Sequence, residues 1–418
     1  MSTSLPSSWA VSEIGSLCDL KNGRAFKPTE WSLEGLPIVR IQNLNNPNAS
    51  FNCYSGEYEN KYFLKGGELL FAWSGTPGTS FGAHVWRGGE ALLNQHIFRV
   101  DFDDSFLDRR LFRHAINQKL NDLIGKAHGG AGLQHVTKGK FEATQIVVPP
   151  RNEQRRIADK LDTILTRVDV LNDRLARITP LLKRFRQSVL AAATSGRLTE
   201  DCAFGEVKRC LLKNIIKVSS GDGLVAKNMN SEGNIPVYGG NGVNGYHDRF
   251  NVYEPTIVIG RVGYYCGSVY LTPKHAWVTD NALKVKFDSE ILDKNFLYFS
   301  LLGINLRENI SSTAQPVISG QKIYSLVFRL PSYEEQAEIV RRVEILFAYA
   351  DRLEARLQTA RTAADRLTPA LLAKAFRGEL VPQDPNDEPA TELLRRLREA
   401  RAAQAPAKKT RGRKASAA

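Results

Sequence analysis

The sequence lacks the features that mark several classes of protein. Its five cysteines form no Cys-x-x-Cys pair and no paired cysteine–histidine spacing, which argues against a zinc site or a disulfide framework and favours free thiols in a reducing compartment. No stretch approaches the roughly 18 uninterrupted apolar residues that a transmembrane helix needs. The N-terminal residues contain no basic region followed by an apolar one, which is the pattern of a signal peptide. We therefore expect a cytoplasmic protein that holds no metal ion.

Catalytic motifs are also missing. The chain has no GxxxxGK[S/T] phosphate loop, no Asn-Pro-Pro-aromatic tetrapeptide and no HExxH motif, so neither nucleotide hydrolysis, base methylation nor zinc catalysis is expected of it. Residues 240–245 do spell GxGxxG, but their two Asn-Gly dipeptides are typical of tight turns and no helix start follows them. Asp201, Glu206 and Lys208 imitate the metal-holding set of nucleases without a strand to frame them. We predict no catalytic residue and no cofactor in this chain.

The composition favours a nucleic-acid partner. The 418 residues carry a formal net charge of +13, and 42% of them are hydrophobic, which is enough to build cores. A chain of this length is expected to form two or more domains. The excess of Lys and Arg fits a polyanion, because neutralising phosphates releases condensed counterions. An arginine-rich but otherwise ordinary surface is the alternative that the charge alone leaves open.

An internal repeat organises the chain. Residues Glu153–Leu198 align without a gap onto Glu335–Leu380, 182 positions later, with 13 identities in 46 positions. The identities include the Glu-Gln pair that begins each copy and the glycine near each end. This pattern indicates a duplication.

Each copy predicts a long helix with the seam of a coiled coil. Apolar residues alternate steps of four and three, the spacing that packs one helix on another by knobs into holes. Two ordinary amphipathic helices that face separate cores are the alternative. Thr179-Pro180 is typical of an N-cap and a first-turn proline, so we expect a kink or a fresh start there. The seam positions are Ile157, Leu161, Ile164, Val168, Leu171, Leu175 and Ile178 in the first copy, and Ile339, Val343, Leu346, Ala350, Leu353, Leu357 and Ala360 in the second.

The remaining sequence indicates two mixed, β-rich globular domains with a shared skeleton. Each closes on Gln-x-Val with a glycine three residues on, at Gln134 and at Gln315, and then enters a strand that ends in proline. We predict globular domains at 1–150 and 200–331, helical segments at 151–199 and 332–381, and a basic, disordered tail at 382–418, with a short charged helix at 389–401 as the alternative for part of the tail.

Side chains of the types that read DNA bases are concentrated at turns of both domains. Arg, Lys, Asn and Gln hydrogen-bond to base edges. Each such residue alone is more often a turn residue or a backbone cap, and only their recurrence on loops of both domains suggests DNA reading. The candidates are Arg40, Gln42, Asn43, Trp73, Ser74, Asn94, Gln95, His96, Gln134, His135 and Lys138 in the first domain, and Tyr238, Asn241, Asn244, Arg261, Tyr264, Asp280, Asn281 and Gln315 in the second.

A strand ending in proline, then Glu-Gln, then a long helix closing in Gly-x-Leu, present twice, resembles the specificity subunits of Type I restriction-modification systems. The similarity runs over about residues 5–382, and residues 236–242 and 277–282 look like variants of that family's recognition domains. The resemblance implies a mixed α/β fold of the α+β class. In it, two target-recognition domains alternate with two long helical regions, which pair as an antiparallel coiled coil with pseudo-twofold symmetry.

The resemblance also implies a function without chemistry of its own. Such a subunit binds double-stranded DNA, each recognition domain reads one half of a bipartite site, and the helices dock two modification (methyltransferase) subunits. Those partners bind S-adenosylmethionine and methylate adenine, while restriction subunits supply ATP- and Mg²⁺-dependent translocation and cleavage. A single-chain DNA-modifying enzyme and a coiled-coil scaffold for proteins are the alternatives.

The helix length fits a spacer. Residues 153–178 would span roughly 39 Å at about 1.5 Å per residue, close to one turn of B-DNA. We therefore predict that the helices set the gap between two half-sites. Because the two domains differ in sequence, we predict that the target is asymmetric.

Overall fold

A computed structural model describes residues 5–46, 48–75, 81–125, 134–230, 232–304, 306 and 316–404. It divides into two compact units, which we describe separately. Unit 1 comprises Met1–Asn172 and Thr362–Ala418, and unit 2 comprises Asp173–Arg361. Each unit therefore contains one globular domain and parts of both long helices.

Unit 1 contains short strands and helices ahead of the first long helix. Its strands are β1 (Ala10–Glu13), β2 (Asp19–Asn22), β3 (Leu36–Val39), β4 (Cys53–Tyr54), β5 (Phe63–Leu64), β6 (Leu69–Ala72), β7 (Ser74–Gly75), β8 (Gly82–Val85), β9 (Ala91–Leu93), β10 (Ile97–Asp101), β11 (Gln134–His135) and β12 (Gln145–Val148). Its helices are α1 (Ile14–Leu17), α2 (Ile41–Asn45), α3 (Arg109–Gln118), α4 (Leu120–Gly125), α5 (Lys138–Glu142) and the first part of α6 (Arg151–Ser195).

Unit 2 follows the same plan, and the chain then returns to unit 1. The strands of unit 2 are β13 (Lys208–Leu211), β14 (Ile216–Ser220), β15 (Ile235–Gly239), β16 (Gly242–His247), β17 (Ile257–Gly260), β18 (Val269–Leu271), β19 (Trp277–Val278), β20 (Ala282–Phe287) and β21 (Val327–Leu330). The helices are α7 (Lys294–Gly303), α8 (Gly320–Tyr324) and the first part of α9 (Tyr333–Phe376), with α10 (Ala390–Gln404) in unit 1.

The two globular domains share one sheet topology. Unit 1 has an antiparallel sheet of order β2-β10-β6-β8, and unit 2 has one of order β14-β20-β17-β18. In each unit a second sheet contains a parallel pair, β3-β9 or β15-β19. The strand before the long helix pairs with the first strand of its domain, as β12 with β1 and β21 with β13. The predicted mixed α+β fold with two β-rich domains and long helices packed together is confirmed.

The equivalence of the domains is shifted by one residue from the Gln-x-Val match. Thr137 caps the N-terminus of α5 and Ser319 caps that of α8. The residues before these caps are Val136 and Ile318. Each donates a backbone hydrogen bond to the residue that follows the third strand of its sheet, which is β6 in unit 1 and β17 in unit 2. The cap side chain fixes the register here, so the alignment on Gln134 and Gln315 is wrong by one position.

Each unit has its own hydrophobic core, to which both long helices contribute. In unit 1 the buried side chains Ile157 and Leu161 of α6 and Phe376 of α9 lie in the same cluster as the domain's Phe71 and Phe141. In unit 2, the N-terminal part of α9 and the C-terminal part of α6 contribute buried side chains to the core. The helices are therefore held by the domains as well as by each other.

The long helices pair directly in unit 2. Leu175, Ile178, Leu182 and Phe185 of α6 form one cluster with seam residues of α9. Arg186 binds Asp351 (2.6 Å) and Glu354 (2.8 Å), whereas the earlier residues Leu175 and Thr179 accept hydrogen bonds from the later residue Arg361. Because residues later in α6 contact residues earlier in α9, the two helices pair in antiparallel orientation.

The predicted seam divides between domain cores and helix pairing. Ile157, Leu161, Ile339 and Val343 belong to domain cores, so both interpretations of the pattern apply in part. Ile164 and Leu346 are half-buried and Val168 is buried. Leu171 and Ala360 are exposed. An α-helix has 3.6 residues per turn, so a strict seven-residue repeat drifts off its face by about 20° per heptad.

The fresh helix start expected at Thr179-Pro180 is wrong. Helix α6 runs from Arg151 to Ser195 with Pro180 inside it. A proline removes one backbone donor from the helix ladder, but Leu175 and Ile178 before it and Leu182 and Phe185 after it pack in one cluster with α9, which stabilises one continuous helix. Arg361 donates hydrogen bonds to the carbonyl of Leu175 (3.1 Å) and the hydroxyl of Thr179 (2.9 Å).

A buried glutamine fastens α6 to the domain of unit 1. The side-chain oxygen of Gln154 accepts a hydrogen bond from the backbone N–H of Asp108 (2.8 Å). Its amide donates to the carbonyls of Pro149 (2.9 Å) and Phe106 (3.3 Å). Asp108 in turn caps α3, so one glutamine joins the last strand, the capped helix and the long helix.

Gln336 repeats this arrangement in unit 2. Its oxygen accepts from the backbone N–H of Asp293 (2.8 Å), the cap of α7. Its amide donates to the carbonyls of Pro331 (3.1 Å) and Ile291 (3.0 Å). The glutamine of the repeated Glu-Gln pair therefore has the same structural role in both copies.

The glutamate of each pair binds the segment that follows the other long helix. Glu153 of α6 accepts from Trp9 Nε1 (2.9 Å) and from Gln383 (2.5 Å), which lies beyond the end of α9. Burial raises the pKa of Glu153, while these hydrogen bonds lower it. In unit 2, Glu335 of α9 accepts from Thr199 (2.8 Å), beyond the end of α6. The same carboxylate binds Arg329 (2.6 Å).

A glycine follows each long helix and allows the chain to change direction there. Gly196 and Gly378 have φ values of +84° and +75°, in the left-handed region that favours glycine. Their recurrence in the sequence repeat follows from that backbone conformation.

The tail expected at 382–418 is corrected for its first part. Residues 390–404 form helix α10, whose Leu393, Leu394 and Leu397 are buried in the core of unit 1. Arg401 binds Asp19 (2.7 Å). The three leucines lie on one helical face, and burying that apolar face outweighs the charged composition. Residues 405–418 lie outside the described residues.

We predict that Gln336→Ala lowers the free energy of unfolding of unit 2 by about 3 kcal/mol, because it leaves one buried donor and two buried carbonyls without their partner. Chemical denaturation measures the loss, and faster hydrogen exchange in α7 and β21 locates it. Gln187→Ala, at an exposed position of α6 in the same unit, is the control, with an expected change within about 0.5 kcal/mol. Equal stability of the two variants would contradict the role given to Gln336.

Candidate nucleic-acid interface

One end of the antiparallel sheet in unit 1 carries a cluster of polar and aromatic side chains. Asn22 ends β2, Trp73 follows β6, and Gln95 and His96 occupy the turn before β10. Trp73 donates from Nε1 to the side-chain oxygen of Asn22 (3.4 Å), and its ring lies 5.2 Å from that of His96. Gln95 Nε2 and His96 Nε2 are 3.2 Å apart. We call these four residues cluster 1.

The same end of the sheet in unit 2 carries a cluster of different chemistry. Ser220 ends β14, Arg261 follows β17, and Asp280 and Asn281 precede β20. Arg261 Nη1 donates to the hydroxyl of Ser220 (3.5 Å), which donates to the backbone carbonyl of Asp280 (3.2 Å). We call these four residues cluster 2.

Backbone hydrogen bonds make the two clusters equivalent position by position. Trp73 N–H donates to the carbonyl of His96 (3.2 Å), and Arg261 N–H donates to that of Asn281 (2.9 Å). Trp73 is therefore equivalent to Arg261, and His96 to Asn281. By the same register, the preceding Gln95 corresponds to Asp280. One backbone frame thus presents an indole, an amide and an imidazole in unit 1 but a guanidinium, a carboxylate and an amide in unit 2.

A glycine allows the first strand of each sheet to approach the turn. An added Cβ at Gly23 would lie 2.1 Å from the carbonyl oxygen of Asn94. At Gly221 it would lie 2.2 Å from that of Val278. Neither position accommodates a side chain, so these glycines bring Asn22 and Ser220 into the clusters. Both residues were missed in the sequence, where the only signal is that each directly precedes a glycine, Gly23 or Gly221.

Three of the predicted DNA-contacting residues have partners within the protein. Asn43 is buried, and its side chain bonds the backbone of Arg40 (3.0 Å) and the carbonyls of Ala49 and Ser50. Arg40 lies over the ring of Trp31 at 5.3 Å.

Tyr238 is buried in a small core of unit 2. Burial and the nearby Tyr246 raise its pKa, so its hydroxyl is neutral at physiological pH.

Other predicted residues lie at or near the cluster ends of the sheets. Ser74 is buried in β7, which pairs with Gln134 and His135 of β11. Lys138 donates from Nζ to the carbonyl of Leu20 in β2 (3.3 Å). Asn94 is half-buried in the turn that carries cluster 1.

In unit 2, Asn241 and Asn244 are exposed around the turn between β15 and β16, as is Tyr264 between β17 and β18, and Gln42 is exposed in unit 1. An added Cβ at Gly240 would lie 2.6 Å from the carbonyl of Val262, so the β15–β16 turn lies beside Arg261. Gln315 lies outside the described residues.

The sequence motifs that resemble enzyme sites do not form such sites in the part of the chain that the structure describes. Residues 242–245 of the GxGxxG stretch lie in strand β16, which pairs with β15, where a dinucleotide site needs a helix start. Asp201 binds Arg342 at 2.6 Å. Across the residues that the structure describes, no group of His, Cys, Asp and Glu is placed to hold a metal ion. Over the same residues, no helix is long and apolar enough to cross a membrane.

The family model described as Type I restriction modification DNA specificity domain matches residues 6–180 and 206–360. The chain is 30% identical to the Type I restriction enzyme EcoBI specificity subunit of Escherichia coli, covering 98% of this chain and 95% of that protein. It is 28% identical to the EcoKI specificity subunit of Escherichia coli strain K12, over 97% and 98%.

Solved structures share the fold. A chain from a structure described as the "structural basis underlying complex assembly and conformational transition of the type I R-M system" matches with a TM-score of 0.73 at 18% identity, over 90% of this chain and 99% of that one. The HsdS subunit from Thermoanaerobacter tengcongensis matches with a TM-score of 0.58 at 19% identity, over 90% and 98%.

The two sheet-containing domains and the paired long helices have the fold of these Type I restriction-modification chains. The chain belongs to the family of DNA specificity subunits of Type I restriction-modification systems. Subunits of this family carry no catalytic site and no cofactor.

We predict that Asn43→Ala destabilises unit 1 by about 2 kcal/mol without changing the DNA sequence that is recognised, because its side chain is used by the backbone. Gln42→Ala, its exposed neighbour, is the matched variant with unchanged stability. Thermal unfolding and mapping of methylated sites in DNA from cells that also make the modification subunit measure the two effects. A changed target sequence with Asn43→Ala would show that Asn43 contacts a base.

Proposed function

We propose that this subunit reads an asymmetric, bipartite DNA site, with one half read by each globular domain. The recognition domains are residues 1–150 and 200–331, and the base-reading side chains are drawn from clusters 1 and 2 and the predicted turn residues around them. The helical segments 151–199 and 332–381 set the number of unspecified base pairs between the halves.

The observation that carries the proposal is the divergence of side chains on one backbone frame. Arginine in a groove donates two hydrogen bonds to guanine, and asparagine pairs with adenine, each good pair contributing about 1–3 kcal/mol of discrimination. Arg261 and Asn281 offer this chemistry in unit 2, whereas Trp73 and His96 hold the equivalent positions in unit 1. Two domains that place different hydrogen-bonding side chains on the same backbone arrangement are expected to read different half-sites.

The proposal assigns the chemistry to partners. Two modification subunits that bind S-adenosylmethionine dock on the helical segments and methylate adenines, and restriction subunits use ATP and Mg²⁺. The proposal includes a cytoplasmic location, where DNA and these partners meet. Linking two short reading events in one subunit raises the effective concentration of the second and makes a long site specific.

Mapping of methylated bases tests the half-site assignment. In cells that make this subunit and its modification partner, we expect one motif with two specified parts that are not inverted copies of each other. His96→Ala should relax one part and Asn281→Ala the other, because these residues hold equivalent positions. The purified chain alone should neither methylate nor cleave DNA. Inverted half-sites, or both variants relaxing the same part, would overturn the proposal.

An insertion tests the role of the helices. Four residues added in frame after Leu171 extend α6 by about 6 Å, and we expect a longer unspecified gap between unchanged half-sites. The same four residues added after Gln404, at the end of α10, should leave the gap as it is. Methylation mapping measures both. Half-sites that change in the first variant would mean that the helix itself reads DNA.

A further inference from the structure

The turn between β17 and β18 displays two tyrosines on a firmly anchored backbone. The side chain of Tyr264 is 80% exposed and that of Tyr265 is 44% exposed. Their rings lie 5.0 Å apart at 85°, edge to face. In this arrangement Tyr265 supports one side of the Tyr264 ring and leaves the rest accessible.

Backbone hydrogen bonds close the base of the turn. Gly260 N–H donates to the carbonyl of Ser268, and Gly267 N–H donates to that of Gly260, both at 2.8 Å. Nearer the tip, Cys266 N–H donates to the carbonyl of Gly263 at 3.0 Å. Gly263 and Gly267 have φ values of +86° and +83°, which only glycine adopts readily.

The neighbouring segments also hold the turn. Gly263 N–H donates to the carbonyl of Pro316 (3.0 Å). The side chain of Cys266 is fully buried in the core of unit 2, and its thiol donates to the carbonyl of Arg261 (3.1 Å). The tyrosines are thus presented by a preformed structure, which lowers the entropy lost when a ligand binds.

The position of the turn indicates its ligand. Arg261 of cluster 2 begins the turn and lies within hydrogen-bond reach of Ser220. A large apolar ring held in water lacks the stabilisation that burying its apolar surface would bring. Beside residues that hydrogen-bond base edges, such a ring has a matching partner, since every base has an aromatic face.

We propose that Tyr264 is a wedge that stacks on a base step of the half-site read by unit 2 and unstacks it from its neighbour. This inference rests on the proposed function. Inserted apolar side chains kink DNA at flexible steps and so add sequence preference through deformability rather than through hydrogen bonds. Tyr265 positions the ring by its edge-to-face contact and does not enter the DNA.

Fluorescence of 2-aminopurine tests the wedge. The probe replaces successive bases of the half-site that Asn281→Ala relaxes, except the base that is methylated, in duplexes bound by the complete complex of this chain with modification subunits. We expect a several-fold rise in fluorescence at one step with the unmodified chain and with Tyr264→Phe, which keeps the ring. Tyr264→Ala should abolish the rise and weaken binding roughly tenfold, since stacking on one base contributes about 1–3 kcal/mol.

A second exposed tyrosine provides the control. Tyr253 of the same unit is 69% exposed and contacts Phe250 ring to ring at 5.0 Å, outside the β17–β18 turn. Tyr253→Ala should leave the fluorescence rise and the affinity unchanged. Thermal unfolding of each variant alone shows whether the fold is kept, and an exposed site predicts that it is.

The outcomes separate this inference from the proposed function. Sequence-specific binding without a fluorescence rise at any step overturns the wedge alone, as does a rise that persists in Tyr264→Ala. Equal losses in Tyr264→Phe and Tyr264→Ala would assign the effect to the hydroxyl group and also overturn it. A complex that binds no sequence in preference to another overturns both.

Discussion

The Glu-Gln pair at the start of each long helix is the interaction on which the rest of the architecture depends. The glutamine joins the final strand, the capped helix and the long helix of its own domain through three hydrogen bonds, as Gln336 does in unit 2, where one is buried and two are part-buried. The glutamate holds the segment arriving from the other long helix, as Glu335 holds Thr199. Buried polar groups cost free energy unless all are bonded. These pairs therefore fix one geometry at the point where domain and helices meet.

The two domains share this backbone arrangement but differ in the side chains that it carries. The sheet order, the capped helix and the glycine beside the first strand are the same in both units, and they determine where the cluster positions lie. The side chains at those positions differ, as Trp73 and Arg261 illustrate. The cluster positions lie at turns at the end of each sheet, where one backbone carries different side chains in the two domains, although Trp73 also packs against the core of unit 1.

The sequence contained much of the fold but only part of the site. Helical periodicity and the repeat predict the long helices, because one apolar face recurs over many turns. The helix through Pro180 was not predictable, since the side chains that pack against α6 on both sides of it come from α9, far along the chain.

The buried face of α10 was obscured by its charges, and the roles of Glu153 and Gln154 required the tertiary contacts to be seen. Among the candidate readers, Asn43 and Tyr238 have the right chemistry but are buried. Residue type alone cannot distinguish a backbone clamp from a base reader.

The contribution of α10 to the core of unit 1 has a consequence for biosynthesis. Unit 2 is continuous in sequence, so its core is complete soon after residue 361 is synthesised. Unit 1 draws its core from two segments separated by unit 2, and Leu393, Leu394 and Leu397 are synthesised after all of unit 2. Domains form as units while the ribosome is still translating. The N-terminal part of unit 1 therefore keeps part of its apolar core uncovered until the residues of α10, which follow unit 2 in the sequence, have left the ribosome.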